Sequence, residues 1–177
     1  MVEGARIGPY RAQAAITRPS VFAPSLLTPR PTTLSKPAMT APDANHFIWP
    51  VRVYWEDTDA GGVVYHASYL RFMERARSEW LRALGINQSA YKEATGLAFL
   101  VREMQIDFLR AALLDDELSV SVEVKERRAA SILFAQTIRR VDGTELIRAK
   151  VRVACVDVRR MRPVQIPADF TPGLSPQ

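Results

Sequence analysis

The sequence predicts an α+β fold from three observations. A short apolar strand candidate, Ile48 to Trp55, opens the folded part. An amphipathic helix, Tyr69 to Leu84, follows and is closed by Gly85. Four further segments then alternate apolar and polar residues. Strands grouped after a helix point to a segregated α+β arrangement and away from a doubly wound parallel sheet.

Each element rests on its own pattern. In the first strand Val51, Val53 and Trp55 share one parity and Arg52 and Tyr54 the other, the signature of a half-buried strand. In the helix Tyr69, Leu70, Phe72, Met73, Ala76, Trp80, Leu81, Ala83 and Leu84 cover about half the circumference at 100° per residue. A helix apolar over half its girth is expected to be wrapped by a curved sheet. Arg77 falls inside that arc, with Glu74 one turn before it. The two residues can form an i,i+3 ion pair, and a structural pairing is the reading given to Arg77.

A short helix over 86–95 is predicted, with Asn87 as its cap. Four strands follow: Ala98 to Leu109, with Met104, Ile106 and Phe108 on one face; Glu117 to Lys125, with Leu118, Val120, Val122 and Val124; Ser131 to Arg139, with Ile132, Phe134 and Ile138; and Glu145 to Val158, with Ile147, Ala149, Val151, Val153 and Cys155. Asp142-Gly143 reads as a two-residue hairpin turn. Asp115-Asp116 and Arg127-Arg128-Ala129 suit the other turns. Arg159 to Gln177 carries four prolines and reads as a trailing segment whose early part packs back on the sheet.

Residues 1–46, rich in Pro and Ala, are read as a disordered extension, 47–170 as the single domain, and 171–177 as a tail. The extension has three readings: an upstream start ahead of a true start at Met39, a plain disordered tail, or a transit peptide. Of the net charge of +5, residues 1–42 hold five basic residues against Glu3 alone, a net of +4. The remainder, with 19 basic and 18 acidic residues, is nearly neutral. That distribution argues against nucleic acid as a partner. No apolar run reaches the length of a membrane span. The lone Cys155 forms no internal disulfide and favours a reducing compartment, so a cytoplasmic location is expected.

The chemistry concentrates in Glu56-Asp57-Thr58-Asp59-Ala60-Gly61-Gly62-Val63-Val64-Tyr65-His66-Ala67-Ser68-Tyr69. An acidic, glycine-containing turn delivers the chain to a helix N-terminus. Free N–H groups there suit a developing oxyanion, and a carboxylate just upstream can act as base or nucleophile. No G-x-S-x-G elbow and no nucleotide-binding glycine loop occurs. Two histidines and one cysteine argue against a zinc site. Glu56 and Asp57 suit a solvated or capping turn.

That run, followed by Glu74-Arg75-Ala76-Arg77, resembles the signature of hotdog-fold acyl-CoA thioesterases, in the branch of 4-hydroxybenzoyl-CoA thioesterase and the Tol–Pal-associated thioesterase. The resemblance implies an antiparallel sheet of about five strands curled round one long helix. It implies hydrolysis of acyl-CoA with Asp59 as the catalytic carboxylate, acting as general base or as nucleophile. The backbone N–H at His66 would bind the thioester oxygen, and Gly62, Val63 and Tyr65 would contact substrate. No metal or cofactor is implied, because coenzyme A is part of the substrate. Side-by-side homodimers, pairing again into tetramers, with sites between subunits, are implied too. Acyl carrier protein and envelope proteins are further partners this reading allows. Lys125, Arg127, Arg128, Arg148, Lys150 and Arg152 are candidates for the CoA phosphates. The alternatives are an acyl-thioester dehydratase or hydratase of the same fold and a non-catalytic acyl-CoA or protein-binding scaffold.

Overall fold

In a computed structural model, residues 45–170 are described. The readings of residues 1–44 and 171–177 lie outside them. Strand β1 (His46–Arg52) is followed by a 3-10 turn (Trp55–Asp57), helix α1 (His66–Ala83), helix α2 (Gln88–Thr95), and strands β2 (Leu97–Phe108), β3 (Glu117–Arg128), β4 (Ser131–Arg140), β5 (Glu145–Asp157) and β6 (Arg162–Pro163). All pairings are antiparallel, in the order β1-β3-β4-β5-β2, with β6 added to the end of β5. This is the expected arrangement of a sheet wrapped about one helix.

The core lies between the sheet's inner face and α1. Phe72, Met73, Ala76 and Trp80 are fully or almost fully buried against Val120, Val122, Ile132, Ile138, Ile147 and Val151. Trp80 meets Phe134 edge to face, with centroids 5.3 Å apart, a geometry that adds to simple area burial. Arg77 and Gln136 are two of the polar residues buried among the described ones. Arg77 donates to Gln136 Oε1 at 2.5 Å and pairs with Glu74, as its sequence position suggested. Gln136 in turn donates to the Met73 carbonyl at 3.2 Å and the Ser121 carbonyl at 3.4 Å. This pin fastens the middle of α1 to the centre of the sheet.

Several boundaries differ from the sequence reading, each for a physical reason. β1 begins at His46 and stops at Arg52; Val53 is buried, but Trp55 sits in the 3-10 turn and is 79% exposed. Pro50 is accommodated because β1 is an edge strand. Helix α1 starts at His66 rather than Tyr69, because Tyr65 is its N-cap without any side-chain capping bond to announce it. Leu70 is partly exposed. In β2 a register shift between Val101 and Glu103 inserts Arg102. Parity therefore switches: Leu97 and Phe99 pack inward before the bulge, Met104 and Ile106 after it. Phe108 ends outside, 53% exposed. A second bulge between Val124 and Glu126 carries β3 through to Arg128, so Arg127 is a buried strand residue and the turn is shorter than predicted. Four residues, 141–144, separate β4 from β5, not two. Arg140 N–H bonds Thr144 O and Gly143 N–H bonds Arg140 O, with Gly143 at φ 87° closing a bulged turn. Asn87 caps α2 as read, accepting the N–H groups of Ser89 and Ala90 at 3.1 Å each. The segment after β5 does fold back: Ile166 and Phe170 are buried, and Phe170 stacks on Phe99 at 4.2 Å.

Candidate active site

The loop between β1 and α1 is built around Asp57. The residue is 2% exposed, and its Oδ2 accepts the Tyr54 N–H at 3.0 Å. Its backbone carbonyl accepts Tyr65 N–H at 2.8 Å and Ser68 Oγ at 3.1 Å. The Arg71 guanidinium stands 3.9 Å from Oδ1 and donates to Ser68 Oγ at 2.7 Å. Asp57 therefore ties the start of the loop to the start of α1. It is a buried anchor, not a solvated acid.

Between these ties the chain makes a tight excursion. Thr58 bridges Val64, Asp59 N–H donates to Val63 O at 3.0 Å, and Gly62 N–H donates to Asp59 O at 3.0 Å. Asp59 Oδ1 accepts the Gly61 N–H at 2.8 Å. A Cβ at Gly61 would stand 3.0 Å from that same oxygen, and Gly62 takes a φ of +75° that side chains rarely adopt. The glycine pair is thus explained by close approach at one position and by handedness at the other.

Asp59 is exposed, and its Oδ2 has no hydrogen bond within the described residues. At the adjoining start of α1, the His66 and Ala67 N–H groups find no acceptor among the described residues, and no acidic residue occupies the first turn. An uncapped helix end carries partial positive charge. Asp59, Val63, Val64, His66 and Tyr69 line one open cleft with residues 108–111. One cleft therefore holds both a carboxylate with a free oxygen and the uncapped start of a helix.

Asp59, Val63 and His66 are brought together as the sequence suggested. Gly62 shapes the turn without lining the cleft, and Tyr65 is half exposed, its ring 4.3 Å from that of His66. The proposed phosphate-binding cations are spread over β3 and β5. Most are engaged: Arg128 and Arg152 with Glu126, Lys125 with Glu123, and Arg148 with Glu145. The cation in the cleft is Arg110, which no sequence pattern marked. Tyr69 was equally invisible as a polar residue, because its place in the apolar arc reads as core. Its hydroxyl accepts the Ala112 N–H at 2.8 Å, and burial pushes the phenol pKa up. No group of three or more potential metal ligands occurs among the described residues.

Residues 53–174 match the model of the thioesterase-like superfamily. The chain is 53% identical over 125 residues to acyl-CoA thioesterase YbgC of Haemophilus influenzae, covering 71% of this chain and 91% of that one. It is 49% identical over 121 residues to acyl-CoA thioester hydrolase YbgC of Escherichia coli O157:H7, covering 68% and 90%. A crystal structure of a probable thioesterase from Bartonella henselae superposes with a TM-score of 0.65 at 36% identity, covering 69% of this chain and 99% of that one. The fold alone is shared with 4-hydroxybenzoyl CoA thioesterase from Pseudomonas sp. strain CBS-3, with a TM-score of 0.67 at 22% identity, covering 71% and 96%. The chain belongs to the thioesterase-like superfamily, and within it to the YbgC-like hotdog thioesterases.

Proposed function

We propose that this protein hydrolyses the thioester of an acyl-CoA at the cleft between Asp59 and the start of α1, releasing a carboxylic acid and CoA. The observation that carries the reading is one cleft lined by both Asp59, whose Oδ2 is open, and His66, the first residue of the uncapped start of α1. Donors aimed at a developing oxyanion contribute roughly 3–4 kcal/mol each to the transition state. Asp59 serves by one of two balanced routes. As a base it takes a proton from water as the water oxygen adds to the carbonyl carbon, and the C–S bond then breaks to release the thiolate. As a nucleophile it adds directly, expels the thiolate and leaves a mixed anhydride for water to cleave. Either route consumes one water and calls on no metal or redox group. Val63 brings backbone to the substrate with Gly62 shaping the turn behind it, and the half-exposed Tyr65, its ring next to that of the cleft residue His66, is the contact assigned to the acyl group.

The working form in this reading is a two-fold homodimer. β2 ends the sheet and exposes Leu100, Val101 and Phe108, and a long apolar edge requires a cover. The cytoplasm, where CoA thioesters are found, is the expected location; no helix among the described residues is long and apolar enough to cross a membrane. Thiol release over a panel of aliphatic and aromatic acyl-CoAs, with light scattering at assay concentration, tests both statements. A wild-type chain inert towards the whole panel overturns the hydrolase reading, and a fully active monomer overturns the dimer.

A further inference from the structure

Tyr69 belongs to the cleft, yet no reacting group needs its ring. Its hydroxyl is spent on the backbone: Ala112 N–H donates to it at 2.8 Å, and both residues are buried. Ala112 in turn uses its carbonyl to accept Val64 N–H at 2.9 Å, and its neighbour Leu113 bridges Val63. Val63 O holds the Asp59 N–H. One chain of hydrogen bonds thus runs from the end of the first turn of α1, through the β2–β3 connection, to the loop that carries the carboxylate. The same helix supplies the open amides of His66 and Ala67.

We infer that Tyr69 is a positioning residue: through Ala112 its hydroxyl fixes the spacing between the Asp59 loop and the amide donors at the start of α1. The inference rests on the hydrolase reading for its effect on rate, although the latch itself is a statement about backbone hydrogen bonds. Small displacements of a reacting group lower turnover more than binding. Removing the oxygen therefore affects kcat and spares KM.

The test is Tyr69→Phe, which keeps the ring packed against Phe72 and Phe108. The expected result is a kcat lowered by about 10-fold or more with KM within about twofold of wild type. The Ala112 and Val64 amides should also lose protection from hydrogen exchange while those of β4 keep theirs. The wild type gives a second reading that does not depend on the variant folding. Ala112 and Val64 should exchange with a common protection factor, because one opening frees both. Unchanged kcat in Tyr69→Phe, unchanged protection in that variant, or unrelated exchange rates of the two amides in the wild type would each overturn the inference. A wild type that releases no thiol sinks the hydrolase reading and the catalytic half of this inference together, whereas the exchange data still decide the latch.

Discussion

Asp59 and Gly61 are in contact through a 2.8 Å hydrogen bond from the Gly61 amide to Oδ1, and a methyl group at Gly61 would lie 3.0 Å from that oxygen. The carboxylate is therefore fixed at one oxygen by a residue whose lack of a side chain makes the fixing possible. Gly61 has no positive φ to forbid alanine. Gly61→Ala should fold normally and melt within a few degrees of wild type, with the cost falling on Asp59. A loss of about 10- to 100-fold in kcat/KM is expected from the displaced carboxylate. Turnover equal to wild type would show that Asp59 works without that bond.

Asp57 and Asp59 should separate cleanly on substitution. Asp59→Asn keeps an oxygen to accept the Gly61 N–H but removes the proposed base or nucleophile, so hydrolysis should fall by about 10²- to 10⁴-fold with an unchanged melting curve. Asp57→Ala strips the acceptor from the Tyr54 N–H and should cost about 1–3 kcal/mol of stability, read by denaturant unfolding. Equal losses of activity at similar stability would mean the two carboxylates act as a coupled pair.

Gln136 should matter for stability although it touches nothing in the cleft. Gln136→Leu leaves the buried Arg77 without one acceptor and removes the donor shared by Met73 and Ser121, at a cost of about 1–3 kcal/mol. Replacing both partners, Arg77→Met with Gln136→Leu, should recover most of that loss, because apolar groups leave no buried charge unpaired. Denaturation midpoints of both single variants and the double variant check this; an additive double variant would exclude the coupling.

Acid should destabilise the fold through surface carboxylates that hold partners. Arg152 and Arg128 lower the pKa of Glu126, the Thr144 N–H lowers that of Asp142, and the Arg159 and Arg160 N–H groups lower that of Asp157. A pKa lower in the folded than in the unfolded chain means that the unfolded chain binds protons first. The stability these groups add is present above their ordinary values, 4.5 for Glu and 3.8 for Asp, and is lost as pH falls through the lower folded values. Melting temperature should thus hold on the neutral side and drop below that range, with a shallower drop in Asp142→Ala.

The sequence by itself determined the order of elements, the inward parity of β4 and β5, the Asn87 cap and the Asp59-Gly61-Gly62 turn. Each is a local matter, set by side-chain period, capping chemistry or glycine handedness. Tertiary structure decided the rest. The parity of β2 turned on one inserted residue, Arg102, whose place depends on how β5 lies beside it. The start of α1 went unannounced, because no side chain caps it. Asp57 read as a solvated or capping turn residue apart from Asp59, and only the fold made it a buried anchor while Asp59 stays exposed. Gln136 and Tyr69 read as one more strand residue and one more core aromatic, since their partners lie 59 and 43 residues away. Periodicity records which face a residue occupies, but a buried hydrogen bond across the fold exists only once distant segments have been brought to one place.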